Sequence, residues 1–284
     1  MRHSSSCGAA GMLAVSEQEL RDQKEAHTCF IKRSNMPSQL VDLQVKDSFF
    51  VLKLADEKKL NALSPDMLDQ LETAWQQIEA DQTRHIVVLT GLGKAFCVGA
   101  DIKHLAQTDK KTALKYVRRI GELFDSMRAS RKVIIAGING YALGGGAELM
   151  LSCDLVVAAK EAAIGFPEVQ LGLLAAAGGT SLLPVYVGLA RAKELLLLGE
   201  KLTAQQALET GLINRVVETN LPIQLEELAQ KMAGYPATAL GRIKSIINRH
   251  AVNYLSIRQF EQVCFAECFS DGQAVELRSK FAEK

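Results

Sequence analysis

The chain has 284 residues, a formal net charge of +1 and 48% hydrophobic residues. This length is sufficient for one large core, or for a core with a smaller attached domain. Because the charge is nearly balanced and mixed along the chain, it gives no broad field for binding nucleic acid or an anionic membrane surface. The six cysteines contain no CxxC pair, so free thiols in a reducing compartment are expected.

The N-terminal segment is polar and shows no firm periodicity before Leu40. We therefore predict that residues 1–39 form a poorly structured extension. The first sixteen residues carry Arg2, His3 and a run of three serines but no acid, a composition weakly similar to a transit peptide. A disordered start is the alternative. The expected location is the cytoplasm or the mitochondrial matrix.

Strand and helix patterns alternate from residue 40 to about residue 190. Ser64 and Pro65 predict the start of one of these helices, as N-cap and first helical residue. The predicted strands are 48–54, 85–90, 133–138 and 154–159, and the predicted helices begin at 65, 111 and 144. Such alternation with short connections predicts a parallel sheet with crossover helices.

Helix patterns dominate the C-terminal third of the chain. They cover 191–198, 203–210, 222–233, 236–250 and 256–269, with one short strand at 213–217. The sequence thus predicts an α/β core over residues 40–200 and a helical region over 201–284. Residues 172–190 carry no charge, but four glycines and Pro184 favour a buried segment over a membrane span.

Several common site motifs are absent from the sequence. There is no GxxxxGK[ST] and no GxSxG, and the glycine pattern at Gly91 fails as a dinucleotide fingerprint because its sixth position is Phe96. The five histidines form no ligand-spaced cluster. Cys264 and Cys268 would share a helix face, but only His250 lies near them, so we expect no metal.

Three consecutive glycines open the helix predicted to begin at residue 144. Residues 139–148 read Asn-Gly-Tyr-Ala-Leu-Gly-Gly-Gly-Ala-Glu and follow a predicted strand. Glycine destabilises a helix by about 1 kcal/mol relative to alanine, so the run indicates either tight packing on the sheet or a ligand that contacts the backbone. Free N–H groups of a first helical turn suit a developing oxyanion, and Glu148 lies one turn beyond Gly145. A solvated glutamate beside packing glycines is the alternative.

A second acid, Glu168, immediately precedes a long uncharged run. We expect it to face an apolar site, where desolvation raises the pKa of a carboxyl group. Two carboxylates around a polarised carbonyl suit the addition of water to a conjugated double bond. One removes a proton from water, and the other delivers a proton to the α-carbon. A second backbone donor would come from residues 96–102, for which a plain turn capped by Asp101 is the alternative.

Together these motifs resemble the enoyl-CoA hydratase/isomerase (crotonase) superfamily, hydratase-like branch, from about residue 40 to the end. Each motif is moderately specific, and their order and spacing strengthen the resemblance. The matching segments are Asn61-Ala62-Leu63, residues 91–102, residues 139–148, Phe166-Pro167-Glu168, Gly178-Gly179-Thr180 and residues 204–217.

The resemblance implies an α/β fold, a ClpP-like crotonase spiral of ββα units with a C-terminal helical trimerisation region. It implies Glu148 and Glu168 as catalytic residues, and the amides of Ala100 and Gly145 as the oxyanion hole for an acyl-CoA thioester carbonyl. The implied reaction is reversible syn hydration of a 2-trans-enoyl-CoA, with no metal or redox cofactor, in a homotrimer or a hexamer. The substrate-binding residues it implies are Ala62, Leu63, Gly99, Asp101, Ile102, Gly144 and Ala176.

One segment departs from the family pattern. Ala175-Ala176-Ala177 stands where relatives usually have Pro-Gly-Ala, in a loop that normally supports the second glutamate. The extra methyl group of Ala176 is expected to alter the acyl pocket or the position of Glu168.

Two alternatives to the hydratase remain open at this point. One is another crotonase reaction, such as enoyl isomerisation or dehydration of a branched 3-hydroxyacyl thioester. The other is a non-enzymatic oligomer or an RNA-binding relative. The helix at residues 66–81, which corresponds to a lysine-rich RNA-binding helix in some relatives, has five acids and no Lys or Arg, and this argues against RNA.

Overall fold

The computed structural model describes residues 39–249 and 254–283, with the side chains of 254–256 left out. The predicted N-terminal extension, apart from Gln39, lies outside the described residues. So do five of the cysteine and histidine side chains: His3, Cys7, His27, Cys29 and His250.

Six strands form the larger sheet, in the order β1-β2-β3-β5-β7-β10. Only β1 and β2 pair in antiparallel fashion, and every other neighbouring pair is parallel. The predicted parallel sheet is therefore confirmed. The strands are β1 (Val41–Val45), β2 (Phe50–Leu54), β3 (Ile86–Gly91), β5 (Val133–Ile138), β7 (Leu155–Ala159) and β10 (Arg215–Val217).

The smaller sheet contains four strands of three residues each, in the order β4-β6-β8-β9. Its first two pairings are parallel and the last is antiparallel. These strands are β4 (Ala95–Cys97), β6 (Tyr141–Leu143), β8 (Ala163–Gly165) and β9 (Lys201–Thr203). None was predicted from sequence, because three residues are too few to show a period.

Ten α-helices lie in the described part of the chain. The first has the predicted start, because the Ser64 side chain accepts a hydrogen bond from the Met67 amide and Pro65 is the first helical residue. The helices are α1 (Pro65–Ala80), α2 (Ile102–Ala106), α3 (Lys110–Ala129), α4 (Gly145–Leu151), α5 (Gly179–Leu198), α6 (Ala204–Glu209), α7 (Leu221–Ala233), α8 (Ala237–Asn248), α9 (Tyr254–Ser270) and α10 (Gly272–Ala282). Two short 3-10 helices cover Glu57–Lys59 and Pro167–Leu171.

The chain repeats one pattern three times. Each repeat places one strand in the larger sheet, the next strand in the smaller sheet, and then a helix: β3-β4-α2, β5-β6-α4 and β7-β8-α5. This is the predicted spiral of ββα units. Because each repeat turns in the same way, the segments that follow β4, β6 and β8 meet at one end of the smaller sheet.

The C-terminal helices pack back onto this end of the molecule. Helix α9 contacts α3 and α5, and α10 contacts α2 and the 3-10 helix Pro167–Leu171. Two strands beyond residue 200, β9 and β10, pair with β8 and β7, so the sheets extend past the boundary predicted at residue 200.

Candidate active site

Two backbone amides meet where β4 and β6 end. The first belongs to Ala100, and the second to Gly145, the first residue of α4. A Cβ built on Gly145 would lie 3.4 Å from the Ala100 nitrogen, so the two amides are neighbours. Within the described residues, neither nitrogen donates a hydrogen bond to a protein atom. The structure therefore brings the two proposed oxyanion donors together, both available to a ligand.

The glycines around these amides have distinct roles. Gly99 and Gly144 adopt φ angles of 87° and 54°, in the left-handed region that favours glycine. A Cβ on Gly146 would lie 2.0 Å from the Cys97 carbonyl oxygen, so α4 packs directly against β4. The two reasons considered for the glycine run, packing on the sheet and access to the backbone, therefore apply to different residues. Gly146 allows close packing, and Gly145 presents a free amide.

Glu148 lies on α4 with its side chain inside the protein. Only 4% of its surface is exposed, and its Oε1 accepts hydrogen bonds of 2.8 Å from the Ala177 and Gly179 amides. Burial raises the pKa of Glu148 to about 7, although these two amides and the charge of Arg128 act in the opposite direction. The loop before α5 therefore orients the carboxylate, while burial disfavours its charged form.

Glu168 lies on the 3-10 helix Pro167–Leu171, opposite the same end of the smaller sheet. Both carboxylate oxygens are buried and accept no hydrogen bond from a described residue. A Cβ on Gly144 would lie 3.2 Å from Oε1, so the carboxyl group faces the turn that leads to the Gly145 amide. Burial, and then the charge of Glu148, raise the pKa of Glu168 to about 8. Both effects disfavour the charged form of Glu168.

A cavity of about 170 Å³ adjoins Glu168. Its other lining residues are apolar except for Thr180. They are Phe166, Val169, Leu173, Leu174, Ala175, Leu196 and Leu197. This is an apolar space beside a carboxyl group to which no described residue donates a hydrogen bond.

Two segments that contain expected substrate-binding residues, 62–63 and 99–102, meet at Ala100. The Leu63 amide donates to the Gly99 carbonyl at 2.8 Å, and Leu63 forms an isolated parallel bridge with Ala100. Ala62 and Leu63 are buried. Asp101 caps α2, which begins at Ile102, and forms an ion pair with Lys59 at 3.6 Å.

Within the described residues, no group of three or more His, Cys, Asp or Glu side chains is arranged to hold a metal ion. The same part of the chain contains no helix with the length and apolar character needed to cross a membrane.

A family model described as enoyl-CoA hydratase/isomerase matches residues 44–284. The chain belongs to this family. It is 34% identical over 247 residues to the short-chain-enoyl-CoA hydratase of Clostridium acetobutylicum, covering 86% of this chain and 95% of that protein. It is also 34% identical to a probable mitochondrial enoyl-CoA hydratase of Dictyostelium discoideum, over 80% of this chain and 82% of the relative.

A solved structure of a family member shows the same fold. The enoyl-CoA hydratase/isomerase of Mycobacterium paratuberculosis superposes with a TM-score of 0.79 and is 29% identical. The match covers 87% of this chain and 99% of that one. The crotonase fold predicted from the sequence motifs is therefore confirmed.

The Ala175-Ala176-Ala177 loop has a different role from the one expected. Its Ala177 amide binds Glu148, so the carboxylate it supports is the first glutamate and not Glu168. Ala175 lines the cavity beside Glu168, whereas Ala176 is buried and does not line it. Of the two residues that depart from the family pattern, Ala175 and Ala176, only Ala175 therefore reaches the cavity beside Glu168.

Two residues near the site were not predicted from sequence. The Tyr116 hydroxyl on α3 donates to the Leu63 carbonyl and accepts from the Asp101 amide at 2.9 Å, so it connects the segments on either side of Ala100. Glu261 on α9 is a buried acid whose pKa is raised by burial and then by the charge of Glu148. Tyr116 follows Asp101 by 15 residues and Glu261 lies much further along the chain, and no local pattern connects either of them with the site motifs.

Proposed function

We propose that this member of the enoyl-CoA hydratase/isomerase family is an enoyl-CoA hydratase, a hydro-lyase. It would catalyse reversible syn addition of water to a 2-trans-enoyl-CoA. One observation carries this proposal: two buried carboxyl groups of unlike environment lie beside two free backbone amides. Glu148 is held by two N–H donors, and Glu168 has none among the described residues.

The amides of Ala100 and Gly145 would bind the thioester carbonyl oxygen. Negative charge develops on this oxygen as water adds to the β-carbon, and two fixed donors stabilise the enolate. Because neither amide donates to a described protein atom, the fold keeps both ready for this bond. In this proposal Gly99, Gly144, Ala62, Leu63, Asp101 and Ile102 shape the approach of the substrate.

The environments of the two glutamates suggest their roles. Glu148 accepts two amide hydrogen bonds that favour its anion, so it would remove the proton from water. Glu168 holds its proton more tightly because it is buried, lacks donors among the described residues and faces the charge of Glu148. It would deliver that proton to the α-carbon, and the reverse reaction would exchange the two roles.

The substrate would bring its own coenzyme A, and the mechanism requires no metal or redox cofactor. The cavity beside Glu168 would receive the acyl chain, with Ala175 in its wall. The names of the two curated relatives, both enoyl-CoA hydratases, support this substrate class.

The reaction is tested by the mass of the product. Crotonyl-CoA and a longer 2-trans-enoyl-CoA are incubated with the purified protein, and the thioesters are separated and weighed by mass spectrometry. A gain of one water with a single 3-hydroxyacyl product supports hydratase activity. A product with a moved double bond and no change of mass would contradict the hydratase assignment and indicate an isomerase.

We infer that the chain assembles as a homotrimer or as a hexamer. Large apolar side chains are exposed on α5, α8 and α9, and extended exposed apolar surface is typical of an interface. These side chains are Val185, Leu189, Leu197, Leu198, Ile243, Ile246, Ile247, Phe260 and Val263. Sedimentation equilibrium tests the inference, and a monomer at micromolar concentration would contradict it.

The proposed location is the cytoplasm or the mitochondrial matrix. The relatives named above include a bacterial protein and a mitochondrial one. Incubation of the full chain with energised mitochondria distinguishes the two. Protection from added protease would favour the matrix, and complete digestion would favour the cytoplasm.

A further inference from the structure

A second cavity lies between the 3-10 helix Pro167–Leu171 and the two C-terminal helices, and we call it the outer cavity. Its volume is about 520 Å³, within the range of roughly 300–1,000 Å³ that is typical of small-molecule sites. The lining residues come from the 3-10 helix and the turn after it, from α9, from α10 and from the turn between these two helices. They are Val169, Gly172, Leu173, Glu267, Cys268, Asp271, Gln273, Ala274 and Leu277.

Close contacts fix α10 against the turn that follows the 3-10 helix. A Cβ built on Gly172 would lie 2.3 Å from the Cβ of Ala274, so α10 packs directly on the backbone of this turn. The Asp271 side chain caps α10, because it accepts hydrogen bonds from the Gln273 and Ala274 amides at 3.0 and 3.1 Å. The outer cavity is therefore bounded by elements that are fixed to each other.

The outer cavity has an apolar floor and a polar rim. Leu173 and Ala274 are buried, at 6% and 2% exposure, whereas the polar residues Glu267, Asp271 and Gln273 are exposed. The polar side chains reach solvent, so the buried surface offers mainly apolar contacts. Such a lining suits an alkyl chain better than a charged group, and the two acids of the rim disfavour an anion in particular.

Val169 and Leu173 line both the outer cavity and the cavity beside Glu168. The two spaces therefore adjoin the same pair of side chains. The Leu173 amide donates to the Glu168 carbonyl at 3.0 Å, so one short turn carries both the acid and the shared wall.

The cavity beside Glu168 is too small for a long acyl chain. An apolar cavity of about 150 Å³ holds one molecule of benzene, so a volume of about 170 Å³ has room for about six carbon atoms. A longer chain must leave this cavity, and the outer cavity is an adjoining space with an apolar floor.

We propose that the outer cavity binds the distal part of a long acyl chain, so that long-chain as well as short-chain enoyl-CoA thioesters are accepted. The chain runs from the amides of Ala100 and Gly145 through the cavity beside Glu168, and then past Val169 and Leu173. The inference rests on the proposed function in treating the cavity beside Glu168 as the acyl site. It makes α9 and α10 determinants of chain length.

The test compares the binding of butanoyl-CoA and dodecanoyl-CoA to the full chain by titration calorimetry, below the concentration at which the longer ester forms micelles. Both esters are saturated, so neither can be hydrated. Cys268→Phe places a ring in the outer cavity. Cys264→Phe is the matched control, because this cysteine lies one turn earlier on α9, is also half-buried and, within the described residues, lines neither cavity.

The variant that fills the outer cavity should discriminate against the longer ester. Each buried methylene group contributes roughly a fourfold factor in affinity, so the exclusion of two or more raises the Kd of dodecanoyl-CoA about tenfold or more. The Kd of butanoyl-CoA stays at the wild-type value in Cys268→Phe, which also shows that the variant is folded. Cys264→Phe changes neither Kd.

A wild-type Kd for dodecanoyl-CoA in Cys268→Phe would overturn the proposal, and so would an equal loss in Cys264→Phe. If circular dichroism shows Cys268→Phe to be unfolded, Gln273→Trp at the exposed rim replaces it with the same expected and contrary results. Failure of wild type to bind either ester would overturn the proposed function as well. Because binding needs no turnover, the expected pattern without hydration of an enoyl-CoA would contradict the hydratase alone.

Discussion

Gly99 and Gly145 approach each other so closely that a Cβ built on Gly99 would lie 2.5 Å from the Gly145 amide nitrogen. A side chain at residue 99 would occupy the space in front of one of the two proposed oxyanion donors. The φ of 87° at Gly99 adds a second reason for glycine at this position.

Gly99→Ala is therefore expected to lower kcat by about 100-fold or more, which is the effect of losing one oxyanion-hole donor in enzymes that catalyse acyl transfer. The measurement is kcat with crotonyl-CoA. Gly272→Ala is the matched control, because nothing lies within 4 Å of a Cβ built there. Equal kcat values in the two variants would show that the Gly145 amide does not contact the reacting carbonyl.

Replacement of either glutamate is expected to remove most of the activity. Glu148→Gln and Glu168→Gln each keep the shape of the side chain but cannot exchange a proton, so kcat should fall at least about 100-fold. Glu161→Gln changes an exposed acid near Glu168 in the sequence and serves as the control. Near-wild-type turnover by either catalytic variant would exclude the mechanism with two glutamates.

The pH dependence of kcat/KM should follow a narrow bell. Activity needs Glu148 without its proton and Glu168 with it. The rate therefore falls below a pH of about 7, as Glu148 becomes protonated, and above about 8, as Glu168 ionises. The two limits belong to the coupled pair rather than to single residues. A flat profile from about pH 5.5 to about 9.5, in protein that circular dichroism shows to be folded, would contradict these roles.

Tyr116→Phe should weaken both stability and catalysis. Removing the hydroxyl leaves the Leu63 carbonyl and the Asp101 amide without this buried partner, which costs about 1–3 kcal/mol of unfolding free energy. Because these groups flank Ala100, kcat/KM is also expected to fall by about tenfold. Tyr235→Phe changes a half-exposed tyrosine and should alter neither quantity. The free energy of unfolding in denaturant and the steady-state kcat/KM are measured for both variants. Identical values in Tyr116→Phe and Tyr235→Phe would show that the Tyr116 hydroxyl does not support the site.

The sequence predicted those parts of the fold whose signals are local. The Ser64 cap, the proline at residue 65 and the β-branched strand at 133–138 each depend on a few adjacent residues, and the structure contains all three. The site at the Gly145 amide could be predicted as well. Glycine lowers the stability of a helix, so a helix that opens with glycines indicates that its backbone must approach another group closely.

The remaining features depend on contacts between distant segments. The uncharged run at 172–190 was interpreted as buried, but the start of α5 at Gly179 shows no helix signal, since glycines occupy both residue 178 and residue 179. The hydrogen bonds from this region to Glu148 span about 30 residues of chain. Glu261 is one of two acids on α9, and nothing in the local sequence distinguishes it from the exposed Glu267; its burial follows from the packing of α9 in the fold.

The most direct test of the central claim is the absorbance of the conjugated enoyl thioester in a solution of crotonyl-CoA and purified wild-type protein. Hydratase activity predicts a steady, enzyme-dependent loss of this absorbance that approaches the hydration equilibrium, and a rate at least about 100-fold lower with Glu148→Gln. No loss of absorbance with crotonyl-CoA or with a longer 2-trans-enoyl-CoA, while coenzyme A esters still bind, would contradict the hydratase assignment.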